Sequence, residues 1–228
     1  MNHVPFDPYD FFGYLAPGLL LLVGIERAFG FPHLLGADLK VVDTAVLLLA
    51  VYVAGQLVAG PAKTVLEDLL VGGILGRPNV NLFRPRRPWV RSIFFPGFYS
   101  RLPDPIRLRV LEKARRDGIA EPGEALFLHV RYSPAILADD KAMVRITAFL
   151  NRYGLTRNLA FTCLLITAAM GLKAWLIPHA PPELTRDAII ATVVGILLFY
   201  RFLKFYRQHP TSCSTSTPGD RDAHRPFH

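Results

Sequence analysis

Residues 69–103 hold the densest set of chemically capable side chains in this 228-residue sequence. Six arginines (Arg77, Arg84, Arg86, Arg87, Arg91, Arg101) are interleaved with six rings (Phe83, Trp89, Phe94, Phe95, Phe98, Tyr99), and no acidic residue interrupts them. Guanidinium groups fork onto phosphate oxygens, and amphipathic rings settle between water and acyl chains, so this mixture suits the headgroup layer of a membrane. It also suits single-stranded nucleic acid, whose bases stack on rings. A plainer alternative has the rings forming a small core with the helices that follow. The stretch begins just after an apolar run, which favours lipid. We therefore expect Arg77, Arg84, Arg86, Arg87, Trp89, Arg91, Phe94, Phe95 and Arg101 to contact anionic lipid or another anionic ligand. Prolines at 78, 85, 88, 96 and 103 forbid a long helix here and predict an extended or re-entrant segment.

No catalytic motif accompanies this stretch. The chain lacks a Gly-rich phosphate loop with its lysine, a His-Glu-x-x-His, a paired Cys-x-x-Cys and a Gly-x-Ser-x-Gly. His129 stands alone on an apolar stretch and reads as structural. His209, Cys213, His224 and His228 would meet around a metal only if residues 208–228 folded, and their polar, Ser/Thr-rich composition reads as disordered. Cys163 and Cys213 read as free thiols. No catalytic residue, metal or cofactor is expected.

The elements that must position these residues are apolar. The chain is 51% hydrophobic and 19% charged, against about 25% charged in soluble domains. That excludes a disordered chain, a collagen-like fibre and a disulfide scaffold, and argues against a soluble enzyme. Residues 44–62 carry no charge at all. Four membrane spans are predicted, at about residues 11–33, 41–62, 158–178 and 186–206. The first follows Asp7 and Asp10 with no Lys or Arg before it, so it reads as a retained helix and not a signal peptide. Pro17 and Gly18 are expected to kink it. The second offers Ala50/Ala54 and Gly55/Ala59, small residues four apart that permit close helix packing. Lys63, Glu67 and Asp68 mark its exit, with an amphipathic extension beyond. In the third, Lys173 snorkels beside Trp175. In the fourth, Arg201 and Lys204 must reach an interface.

Charge sets the orientation. Residues 71–157 hold 16 Lys+Arg against 7 Asp+Glu, a net of +9, and the remainder holds 10 against 11, a net of −1. The positive-inside rule puts that segment, and both termini, in the cytoplasm. The acidic N-terminus alone runs against this. Within the segment, Asp104–Pro105 starts a helix that stops at Gly118. A short helix around Glu124–Tyr132 follows Pro122–Gly123. Another starts at Ser133–Pro134, with Ala135, Ala138, Ala142, Ile146, Phe149 and Tyr153 on one face, and leads into the third span. Glu26, Arg27, Asp43 and Lys173 fall near the outer span ends, where Glu26 and Asp43 are expected to face Lys173. Gln56 is the only amide well inside a span. The lack of mid-span charge disfavours ion-coupled transport.

The stretches DFFGYLAPGLLLL, AGQLVAG, KTVLEDLLVGGILGRPNVNLF, EALFLHVRYS and FLNRYGLTRNLAF resemble those of bacterial four-span inner-membrane proteins of unknown function. The resemblance covers most of residues 10–165. It implies a layout and no active residues.

The reading is an all-α integral membrane protein of the bacterial inner membrane. It has an N-terminal transmembrane hairpin (1–70), a small basic helical cytoplasmic domain (71–157), a C-terminal hairpin (158–207) and a tail (208–228). We expect a non-enzymatic, homo-oligomeric interaction protein that acts on or senses the membrane; a pore-forming or membrane-disrupting effector fits. Its partners are membrane phospholipid, a second copy, and a protein or small signalling ligand at the cytoplasmic domain, with nucleic acid ranked below these. One alternative is a small transporter or channel subunit. Another is an interfacial lipid-processing enzyme, disfavoured by the absence of an acid/base or nucleophile arrangement.

Overall fold

A computed structural model describes residues 8–30, 40–77, 81, 83, 98–99, 102–119, 125–126, 129, 140–177 and 181–215. Every element among them is helical: α1 (Pro8–Phe29), α2 (Val41–Ala62) with a π-wound continuation (Lys63–Leu75), α3 (Asp104–Arg116), α4 (Asp140–Leu176) and α5 (Pro182–Thr215). Among the described residues, three stretches are long and apolar enough to cross a membrane: Val41–Leu75, Thr147–Leu176 and Pro182–Arg207. The first of the four expected spans, at residues 11–33, is not among them.

The chain divides into two compact units, Met1–Leu70 with Asn151–Phe202, and Val71–Leu150 with Leu203–His228. In the first unit α2 buries Val51, Gly55, Val58 and Ala62, spaced three and four apart as one helical face requires. Val58, Ala62 and Leu66 pack against Ala160 and Phe161 of α4. A second cluster joins Ala28 of α1, Ile166 and Met170 of α4 and Leu184 of α5. The α1–α2 contact is closer still, backbone on backbone. A Cβ on Gly55 would collide with the Tyr14 carbonyl, and one on Gly18 would collide with the Val51 carbonyl. Small residues let membrane helices approach in this way. Gly18, which the sequence marks as a kink beside Pro17, is thus a packing residue.

α2 does not end at Ala62. Pro61 has no N–H and its ring crowds the carbonyl four residues back, which disturbs the α-helical ladder. Winding widens to the i→i−5 pattern from Lys63, and π geometry accommodates such a disturbance without ending the helix. Gly76, at φ +85°, closes the segment with its N–H on the Val71 carbonyl at 2.7 Å. α4 is likewise one helix of 37 residues, passing through Gly154 without a break. α5 runs to Thr215, into the polar tail that composition marks as disordered; a helix already nucleated extends at little cost. Residues 216–228 lie outside the described residues.

The second unit has its own core of Phe83, Leu102, Ala114 and Leu126, flanked by Ile106, Val110 and Leu111. α3 starts with Pro103 in the cap position, its carbonyl accepting from the N–H groups of Ile106 and Arg107. It stops where the sequence predicts. Gly118 takes φ +78°, and Ile119 N–H returns to the Ala114 carbonyl at 2.8 Å.

A candidate site at a buried interhelical ion pair

The most concentrated polar chemistry among the described side chains lies where the π segment meets α4. Arg157 Nη1 donates to Glu67 Oε2 at 2.9 Å, with side chains 12% and 16% exposed respectively. Tyr153 Oη donates to the same Glu67 oxygen. Arg157 Nη1 also reaches Tyr153 Oη at 3.3 Å, while Nε and Nη2 donate together to Asn158 Oδ1 at 3.3 and 3.2 Å. The Arg157 guanidinium stands 5.5 Å from the Tyr153 ring centroid. That ring stacks on fully buried Phe202 of α5, with centroids 5.5 Å apart.

The spacing explains how one helix supplies most of the site. Tyr153 and Arg157 are four apart on α4, hence neighbours on its surface. The hydroxyls of Thr156 and Thr162 fold back on their own helix, to the carbonyls of Arg152 and Asn158, leaving the cluster to stronger donors. A carboxylate largely removed from water is tolerated when a cation and a hydroxyl meet it, and both meet Glu67 at Oε2. Most Arg157 donors are spent internally, so the fork cannot also clamp an incoming anion. The arrangement does structural chemistry: it latches the π segment to α4.

Sequence reasoning took Glu67 as a span exit and Arg157 as a cytoplasmic charge, and missed their pairing across 90 residues. Tyr153 and Arg157, four apart and so on one helical face, were the available signal. Around Glu26, Asp43 and Lys173, expected as an outer cluster, the described contacts include two other pairings. Arg27 Nε meets Asp187 Oδ2 at 3.2 Å, and Asp43 accepts from the Lys40 N–H at the α2 start. A loop N–H left over at a helix start claims the nearest carboxylate.

Of the residues expected to meet anions, Arg77 is exposed just past Gly76. Arg84, Arg86, Arg87, Trp89, Arg91, Phe94, Phe95 and Arg101 lie outside the described residues. The described rings of that stretch, Phe83, Phe98 and Tyr99, are all buried, and Tyr99 Oη donates to the Leu75 carbonyl at 3.0 Å. Of the small residues, Gly55 is at the α1 contact, Ala54 and Ala59 are half-buried, and Ala50 is exposed. His129 Nε2 lies 3.3 Å from Asp117 Oδ2. Cys163 is a buried free thiol. Among the described residues no three His, Cys, Asp or Glu side chains converge as metal ligands. Comparison with family models, curated proteins and solved structures finds no match to the chain.

Proposed function

We propose that the chain is an integral protein of the bacterial inner membrane, with four spans arranged as two hairpins around a basic cytoplasmic segment. It works as a non-enzymatic, homo-oligomeric interaction protein that acts on or senses the membrane. The observation that carries this is unpaired apolar surface: only 17%, 33% and 11% of the most apolar windows of the three long helices is buried within the protein. Each Å² of such surface costs about 25 cal/mol in water and nothing comparable among acyl chains.

Length supports the same reading. The uncharged run 44–62 spans about 28 Å at 1.5 Å per residue, close to the ~30 Å hydrocarbon core. Val51 and Gly55 lie near its middle, so α1, whose Gly18 and Tyr14 touch them, shares that depth and serves as the fourth span. Glu67 then falls at headgroup level, where the basic segment begins. The latch therefore ties the bilayer helices together at the level where the cytoplasmic segment leaves them.

Reporter fusions test the layout. Fusions after Arg207 and within residues 105–130 report cytoplasm, and one near Gly36 reports the outside. A fusion near Gly36 that also reports cytoplasm removes α1 as a span.

A further inference from the structure

The packed face of α2 has an opposite. Val42, Val46, Leu49, Val53, Gln56 and Gly60 are all exposed and fall within about 80° of arc at helical pitch. Five of these suit lipid. Gln56 does not: it sits about 4.5 Å along the helix from the centre of the uncharged run, where no water exists to satisfy an amide. Among the described residues its one hydrogen bond runs from Nε2 to Tyr52 Oη at 3.0 Å, which leaves an N–H and the carbonyl oxygen unused. Gly60, one turn on, would have open space around an added Cβ among the described residues.

We propose that this face pairs with the same face of a second copy, the two Gln56 amides exchanging N–H···O=C hydrogen bonds across a two-fold axis. The occupant follows from chemistry. A side-chain amide is at once donor and acceptor, so its complement in an isologous contact is another copy of itself. A free lipid tail offers no partner, and interhelical amide bonds are an established glue between membrane helices. Gly60 lets the two backbones approach closely enough for the amides to meet. The proposal deepens the oligomeric reading above and rests on it.

The test uses the full-length protein in phosphatidylcholine/phosphatidylglycerol vesicles, with self-association measured by energy transfer between labelled copies as the protein is diluted in lipid. The wild type associates. Gln56→Leu weakens association about tenfold, the scale of a pair of interhelical hydrogen bonds. Gln56→Asn retains part of it, Gly60→Ile weakens it by blocking approach, and Tyr52→Phe leaves it intact. In cysteine-free protein, Val53→Cys and Gly60→Cys cross-link between copies while Val58→Cys, on the packed face, does not. Association unchanged in Gln56→Leu overturns this interface and leaves the oligomeric reading standing. A monomeric wild type that remains in the vesicles overturns both and leaves the membrane assignment standing.

Discussion

Arg27–Asp187 and Arg157–Glu67 both join helices within the unit Met1–Leu70 with Asn151–Phe202, and they share chemistry but not surroundings. Arg27 and Asp187 meet at 3.2 Å with the guanidinium side chain 63% exposed, and the Asp187 carboxylate has a second cation in Arg186 at 3.3 Å. Arg157 and Glu67 meet at 2.9 Å with both partners largely covered, a tyrosine hydroxyl on the same carboxylate oxygen and an asparagine holding the other side of the fork. An exposed pair is screened and entropically costly, so it contributes little. A covered pair is different in kind. Its net contribution against an apolar replacement can be near zero, yet losing one partner strands a charge away from water. Burial thus decides which of the two contacts the helices depend on.

The largest expected effect comes from breaking the covered pair on one side. Arg157→Leu leaves Glu67 stranded and lowers stability by about 3–5 kcal/mol, read from denaturant unfolding of the purified protein in lipid micelles. Glu67→Leu with Arg157→Leu restores most of that loss, because the apolar pair strands nothing. A double variant as unstable as the single one would mean the latch is sensitive to shape and not to charge.

A purely steric contact comes next. Gly55→Val pushes a side chain into the Tyr14 carbonyl and costs about 1–3 kcal/mol by overpacking, with α1 more accessible to protease. Gly60→Val, on the open face, changes the same unfolding midpoint by less.

The smallest effect is at the exposed pair. Arg27→Ala changes stability by about 0–1 kcal/mol, and that change fades as salt shortens the Debye length from about 10 Å at 0.1 M to about 3 Å at 1 M. A large, salt-insensitive loss there would erase the contrast between the two pairs.

The helical class was legible because apolar runs report their length directly: 44–62 without a charge, and Gly118 as a stop, needed no knowledge of neighbours. Contacts between helices were less so. Gly55 was marked as small, but its partner Gly18 depends on how two helices register, which composition does not encode. Pro61 carried a signal for altered winding, although a proline forecasts a disturbance and not the π geometry that absorbs it. Glu67 and Arg157 looked like ordinary span-end charges because each sits among polar neighbours in its own stretch; only the fold brings them together. Of the six rings of 69–103, Trp89, Phe94 and Phe95 lie outside the described residues, and the other three pack inward. Phe83, Phe98 and Tyr99 carry the signature of a lipid-facing segment and are buried in their own unit.

The proposed role requires the long helices to reside in a bilayer, and alkaline carbonate extraction of membranes from cells making the full chain tests that most directly. The account predicts that the protein stays in the pelleted membranes at high pH, and that Leu49→Lys with Val53→Lys, two charges placed in the middle of α2, reduces the retained fraction. Quantitative release of the unaltered chain into the supernatant contradicts it.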